Sequence, residues 1–338
     1  MQQNLKIGKL VGVQVMNKKK MLVCGGTGFM GKNISNYFDL LEEYEVHIVG
    51  LKTDSKNWPQ ARFHKADLTT RADVNRLFKK HQFDIVVQAA ANTSGSKDIL
   101  ERPYLHVTDN AVMNSLILQA CYDYEVKHFL FLSCGVMYNP DRSPVTEEDF
   151  YLDEGIYDKY FGVGWTKVYV EKMSEFFAGL GRTKHTVIRH SNTYGPHDKY
   201  DLEKSHMFGA TIAKVMEAED GDEIVVWGDG STERDLLYVD DVVDFIHKAI
   251  DRQESNYELY NVGYEASISV KDIVNTIIAI SGKALSIRHD LTKPSINTKL
   301  ALLSTKAREQ LGWIPLTAID DGIKKTIQWY KLNIQEKK

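Results

Sequence analysis

Between the apolar run Met21-Leu22-Val23 and a helix-forming segment from Lys32 to Glu43 stands Cys24-Gly25-Gly26-Thr27-Gly28-Phe29-Met30-Gly31. Gly25, Gly28 and Gly31 recur every third residue at the point where a strand becomes a helix. Without side chains there, the backbone can turn tightly, approach a pyrophosphate and pack closely on a sheet. The helix N-terminus then turns free N–H groups and its positive dipole end toward the phosphates. Glycines also mark ordinary turns, so the strand before and the helix after are what make this a dinucleotide-binding pattern.

Strand and helix patterns alternate from there. Val46–Val49 reads as a second strand, Ala61–His64 as a short third, and Arg71 to Lys80 as a helix. Asp84-Ile85-Val86-Val87-Gln88 is nearly continuous in apolar residues, as expected of a strand covered on both faces. A helix over about Tyr104–Tyr124 precedes the strand His128–Ser133. This βαβαβ rhythm predicts an α/β fold of the Rossmann type, a doubly wound parallel sheet with ligands at the strand C-termini. Further on come a helix from Val163 to about Leu180, the strand Thr186–Arg189, a helix near Gly209–Ala218 and the apolar stretches 223–230 and 234–241.

Composition excludes several classes. Hydrophobic content of 43%, charged content of 26% and a net charge of −4 describe an ordinary globular chain with no basic footprint for nucleic acid or an anionic membrane. No apolar run approaches the roughly 20 residues needed to span a bilayer. Residues 1–17 do not resemble a signal peptide and are expected to form an extension before the first core strand. Cys24, Cys121 and Cys134 are too few and too scattered for a disulfide framework or a zinc site, so no metal is expected. Reduced thiols in a cytoplasm are the simple reading.

Taken together, the Gly25/Gly28/Gly31 turn, Ala66-Asp67-Leu68, Gln88-Ala89-Ala90-Ala91, Asn110, Gly164-Trp165-Thr166-Lys167 and Arg189-x-x-Asn192-x-Tyr194-Gly195-Pro196 resemble the extended short-chain dehydrogenase/reductase family of nucleotide-sugar enzymes. The resemblance runs in order over residues 20 to 332. Gly195-Pro196-His197-Asp198-Lys199-Tyr200, Ser205-His206-Met207, Trp227 before Arg234, Thr292-Lys293-Pro294 and Gln310-Leu311-Gly312-Trp313 are similar to its GDP-fucose synthase-like branch.

The resemblance implies roles at these positions. The cofactor would lie against Gly25, Thr27, Gly28, Phe29, Met30 and Gly31, with Ala89, Ala90, Ala91 and Asn110 beside it. Asp67 and Leu68 would meet the adenine, and Lys167 the nicotinamide ribose. Lys52, at the end of the second strand, would serve a 2′-phosphate or be a solvated loop lysine, so NAD and NADP both remain open. Asn192, Lys199, Met207, Trp227, Arg234 and Lys299 would hold the nucleotide sugar, with Trp227 in the base pocket and Arg234 on the diphosphate. An arginine suits the last task because its planar fork donates two parallel hydrogen bonds.

One departure stands out. The family's proton relay is Tyr-x-x-x-Lys, but four residues before Lys167 lies Val163, which carries no titratable proton. The neighbouring Ser/Thr position, counted back from Tyr138, is Cys134, with Ser133 one place off. Either another group moves the proton, or the chain binds cofactor and nucleotide sugar without turnover, as a sensor or partner subunit. His197 is the leading substitute, because imidazole titrates near neutrality; Tyr138, Cys134, Tyr157 and Tyr160 are others.

The expected function is therefore NAD(P)-dependent hydride transfer at C4 of a GDP-linked sugar, with epimerisation as an extension. The expected layout is a cofactor domain over 18–190 with parts of 225–260, and a smaller C-terminal α/β substrate lobe over 191–225 and 260–332. A homodimer or homotetramer would pair the helices carrying Ile117, Leu118, Phe176 and Phe177, although each could equally belong to the core.

Overall fold

The structure is a computed structural model, and it describes residues 17–51, 58–93, 101–202, 205–293 and 299–336. The extension 1–16 and Lys52 lie outside the described residues. Seven strands form one all-parallel sheet: β1 (Lys19–Cys24), β2 (Tyr44–Gly50), β3 (Phe63–Lys65), β4 (Ile85–Gln88), β5 (His128–Cys134), β6 (Lys184–His190) and β10 (Tyr257–Val262). Their order across the sheet is β10-β6-β5-β4-β1-β2-β3. The chain therefore reverses direction between β1 and β4, where a doubly wound sheet opens a crevice at its carboxyl end.

The continuous apolar runs follow from burial on both faces. Along β1, Met21 and Val23 enter a core layer with Ile34, Phe38, Phe245 and Trp313. Leu22 and Cys24 point the other way, into a layer with Leu77, Phe78, Ile117 and Val170. Alternation of side chains at period two divides one apolar strand between two helical layers. The helices supplying them are α1 (Phe29–Asp39), α2 (Arg71–His81), α3 (Thr108–Asp123), α4 (Phe161–Gly179) and, after the insertion of other elements, α6 (Val239–Arg252).

The remaining elements build a second core. A three-stranded sheet joins β7 (Asn192–Tyr194), β9 (Glu233–Tyr238) and β11 (Ser267–Ser269), and β8 (Glu223–Trp227) pairs in parallel with β12 (Ser286–Asp290). Helices α5 (Met207–Glu217), α7 (Val270–Ser281) and α9 (Ile319–Tyr330) enclose Ile212, Val226, Ile273 and Ile323 between them. Helix α8 (Thr305–Leu311) instead returns to the large sheet, with Ala307 and Leu311 in its core.

Several boundaries differ from the sequence expectation. The first helix begins at Phe29, not Lys32, because Gly28 is its N-cap and Gly31 already lies in its first turn. Ala61 and Arg62 belong to a 3₁₀ turn, so β3 starts only at Phe63. Pro103 opens another 3₁₀ turn, Pro103–His106, and delays α3 to Thr108. Ile117 and Leu118 are fully buried within the chain, which assigns them to its core. Phe176 is exposed, and Phe177 is half-buried against the same core. Among the described residues no helix is long and apolar enough to cross a membrane.

Candidate active site

The glycine turn is built for close backbone approach. A Cβ on Gly31 would sit 2.1 Å from the Gly25 carbonyl oxygen, and one on Gly25 would sit 2.7 Å from the Ala90 Cα. Gly25 also has φ +72°, a region that L side chains rarely adopt. Gly28 caps α1 without any side-chain hydrogen bond, and Gly28 itself is exposed. The first N–H groups of α1 therefore face outward from a cradle formed by two loop ends, those of β1 and β4. That is the arrangement a pyrophosphate requires.

Two of the proposed cofactor contacts are already engaged. Asn110 Oδ1 accepts from Asn92 N at 2.8 Å, while its Nδ2 donates to Asn92 O and His106 O at 3.0 and 2.9 Å. Its amide thus holds the loop that follows Ala89, Ala90 and Ala91. Gln88 extends the same clamp, donating to Asn114 Oδ1 at 3.0 Å and accepting from Ala90 N at 3.2 Å. Asp67 Oδ1 accepts from Thr69 N and Oγ1 at 2.9 and 2.7 Å, and Leu68 beside it is buried. Thr27, Phe29 and Met30 are half-buried around the turn.

Lys167 on α4 reaches the ends of the central strands, where its Nζ donates to Leu132 O at 2.8 Å and lies 4.7 Å from the Phe131 ring centroid. Burial lowers its pKa, while Cys134 and Glu171 act in the opposite direction. Cys134 closes β5 in register with His190 at the end of β6. Burial raises the Cys134 thiol pKa against the pull of Lys167, so the thiol stays protonated and a poor base. His190 is pushed down to about 4 by burial, with Lys167 and His206 adding to the fall against a hydrogen bond that its Nδ1 donates to the Ser191 carbonyl. His190 carries no motif of its own, and only its register places it here.

Ser133 and Tyr138, expected as proton carriers, are engaged with other side chains. Ser133 is fully buried and donates to Glu171 Oε1 at 2.5 Å. The Tyr138 hydroxyl donates to Asn261 Oδ1 at 2.7 Å and accepts from Arg189 Nη1 at 2.8 Å. Burial pushes that phenol up to about 12. Both hydroxyls belong to a closed interior network.

Tyr160 is placed differently. It immediately precedes α4, and Tyr160, Val163 and Lys167 follow one another at i, i+3 and i+7, which puts them on one helix face. Burial raises the Tyr160 pKa, Arg234 pulls it back, and Cys134 and Tyr157 act with burial. Its phenol thus lies within electrostatic range of Cys134 on the large sheet and Arg234 on β9. Tyr157 is exposed and makes an edge contact with it, ring centroids 6.0 Å apart.

The Gly-Pro-His-Asp loop comes close to α1. Asn33 Nδ2 donates to Pro196 O at 2.8 Å, and His197 has φ +68° with its ring edge-on to Trp329 at 4.8 Å. Burial, then Lys32, lowers the His197 pKa, which leaves the imidazole neutral at neutral pH. Lys199 Nζ donates to Thr93 O at 3.0 Å, joining this loop to the one after β4. Asn192 is exposed and its Nδ2 donates to Asp235 O at 3.3 Å. Met207 is the half-buried first residue of α5, and Lys299 pairs with Glu233 at 3.1 Å.

Trp227 is 42% exposed at the end of β8, with Lys293 Nζ 5.9 Å from its ring. An indole that open is no core filler; it offers a stacking face. Arg234 is half-buried, and burial is the first cause lowering its pKa.

Known proteins are similar to this chain. Residues 21–263 match the NAD dependent epimerase/dehydratase family. The chain is 28% identical over 324 residues to the putative GDP-L-fucose synthase 2 of Arabidopsis thaliana, covering 94% of each. It is 26% identical over 314 residues to the GDP-L-colitose synthase of Yersinia pseudotuberculosis, covering 92% of this chain and 97% of that one. Among solved structures, the UDP-glucose 4-epimerase of Thermotoga maritima with UDP-glucose superimposes with a TM-score of 0.81 at 25% identity, over 93% of this chain and 99% of that one. With the parallel sheet, the glycine cradle and Lys167 at its strand ends, the match over residues 21–263 identifies the chain as a member of the NAD dependent epimerase/dehydratase family.

Proposed function

We propose that this protein is an NAD(P)-dependent oxidoreductase of a GDP-linked sugar, transferring hydride at C4, with epimerisation as an extension of the same chemistry. The observation that carries this reading is the geometry at the carboxyl ends of the strands: the tight Gly25–Gly31 cradle lies at the end of β1, and Lys167 on α4 donates its Nζ to Leu132 O at 2.8 Å near the end of β5. Tyr160, immediately before α4, offers a phenol on the same side of that helix as Val163 and Lys167.

The cofactor, when bound, supplies the hydride acceptor or donor. Its phosphates would lie on the Gly25–Gly31 turn, Asp67 would take the adenine amino group, and Lys167 would hold the ribose hydroxyls. Trp227 would stack on the base, and Arg234 would clamp the diphosphate with Asn192 and Lys199 near the sugar. When the sugar C4–H bond gives up its hydride, the C4 hydroxyl proton must leave. Val163 cannot take it, and we assign it to Tyr160 in its phenolate form, which Arg234 favours against the larger opposing effect of burial. His197, neutral beside Lys32, is left for the proton exchanges that epimerisation adds. The cofactor-binding part would comprise 18–190 with parts of 225–260 and the sugar-binding lobe 191–225 and 260–332, in a cytoplasmic homodimer or homotetramer.

The test is absorbance at the reduced-nicotinamide band, read in both directions while GDP-, UDP- and dTDP-sugars are offered with each cofactor. A signal confined to GDP-sugars is expected. Val163 favours a second reading, a homologue that binds without turnover; silence across the panel with GDP-sugar binding intact would establish it.

A further inference from the structure

At the edge of the large sheet opposite β10, three histidines meet that no part of the proposed reaction uses. His47 comes from β2, His64 from β3, and His81 is the last residue of α2. One ring nitrogen from each lies within 4.8 Å of the other two. His47 Nδ1 is 2.9 Å from His64 Nε2, and the His64 and His81 ring centroids are 4.3 Å apart. His47 is buried, and its second nitrogen, Nε2, meets Glu45 Oε1 at 2.7 Å. That carboxylate holds a proton on Nε2 and leaves the Nδ1 lone pair facing the other two rings. His81 Nε2 is buried and has no hydrogen-bond partner among the described residues.

A cluster of this kind held only by its own hydrogen bonds should not leave a buried ring nitrogen unsatisfied. We propose that His47, His64 and His81 form a binding site for a zinc-class divalent metal ion, with Glu45 as the carboxylate behind the first ligand. Metal–nitrogen bonds of about 2.0–2.1 Å in a tetrahedron separate the ligand atoms by about 3.3 Å. Small side-chain rotations would bring the present nitrogens to that spacing. Three imidazoles without an oxygen or thiolate ligand favour zinc, nickel, copper or cobalt over magnesium or calcium. The carboxylate–histidine pair fixes the tautomer that a metal needs, as outer ligands of such sites commonly do.

The fourth position would face a cavity of about 220 Å³ lined by His64, Asp73, Arg76, Lys80 and His81 among others, which offers a route for the ion and a water. Of the cations nearby, Arg62 is paired with Asp39, and Lys80 is exposed, where solvent screens it. The bound ion would tie β2, β3 and the end of α2 together at an otherwise open sheet edge. This site is independent of the reaction proposed above.

The experiment uses the full chain without an affinity tag, stripped with chelator and titrated with Co(II), then with Zn(II). One equivalent of Co(II) per chain should develop the intense visible bands of a tetrahedral nitrogen-ligated site, lack thiolate charge transfer, and be displaced by Zn(II). The melting temperature should rise with zinc. His64→Ala and His81→Ala, at half-buried positions that tolerate truncation, should each abolish the signal while circular dichroism stays native. Glu45→Gln should weaken binding about 10- to 100-fold. No stoichiometric uptake, or equal uptake by the His64→Ala/His81→Ala double variant, would overturn the proposal.

Discussion

Arg189 meets Glu171 through two parallel hydrogen bonds, Nε to Oε1 at 3.1 Å and Nη2 to Oε2 at 2.6 Å, with both side chains almost wholly buried. Ser133 adds a third donor to the same carboxylate, and Tyr138 accepts from the other side of the guanidinium. The pair locks β5, β6 and α4 directly beneath Lys167. Glu171→Ala would leave a buried guanidinium uncompensated and should cost about 3–5 kcal/mol, read as a lower urea midpoint. Replacing both partners with methionine should recover much of that loss.

Tyr160→Phe removes the phenolic proton and little else. If this oxygen carries the C4 proton, kcat should fall by about 10²–10⁴-fold while nucleotide-sugar affinity holds, since general acid–base catalysis contributes that much. Unchanged kcat would exclude the phenol. Val163→Tyr in the Tyr160→Phe background should restore part of the rate, because position 163 lies one helical turn from Lys167.

Trp227→Ala should weaken GDP-sugar binding by about 1–3 kcal/mol, the range found when a stacked aromatic is truncated under a base. Because the indole is already 42% exposed, the melting temperature should move little. Calorimetric titration with GDP alone separates the two readouts.

Burial lifts the Asp198 carboxyl to about 7, against opposing pulls from the Lys199 amide and charge. Over the window from about pH 4 to about pH 7 the folded chain therefore holds a proton that the unfolded chain has released. The Asp198 contribution to stability should fall as pH rises through that window, by at most about 1.4 kcal/mol per pH unit, and level off above it. Histidines that burial holds neutral in the fold, among them His64, His128, His185 and His190, act in the opposite direction as pH rises to about 6.5. The Asp198 contribution is therefore read against the variant: the urea midpoint of Asp198→Asn relative to wild type should rise between about pH 5 and about pH 8. Asp235, raised by burial to about 6, acts in the same direction as Asp198.

What could be read from the sequence was what local pattern encodes. The run Ile85-Val86-Val87 announced a strand covered on both faces, and three glycines at a strand–helix junction announced the cradle. Helix α1 began earlier than expected because Gly31, read as loop, packs inside its first turn against the Gly25 carbonyl. Site membership was harder, since it depends on long-range register. His190 reaches the site only because β6 pairs with β5, and Asn110 is spent on Asn92 for reasons no spacing reveals. The three histidines at 47, 64 and 81 fall on three separate elements, so no short metal motif could announce them.

Strand β10, the outermost of the large sheet beside β6, is translated only after β7, β8 and β9, which belong to other sheets. A growing chain that has released β6 therefore holds an unpaired strand edge until Val262 has left the ribosome. Messages truncated before that codon would yield a nucleotide-binding half with an open edge, prone to pair with other copies. The stretch from 191 to 262 therefore sets how long that edge of β6 waits for its partner strand.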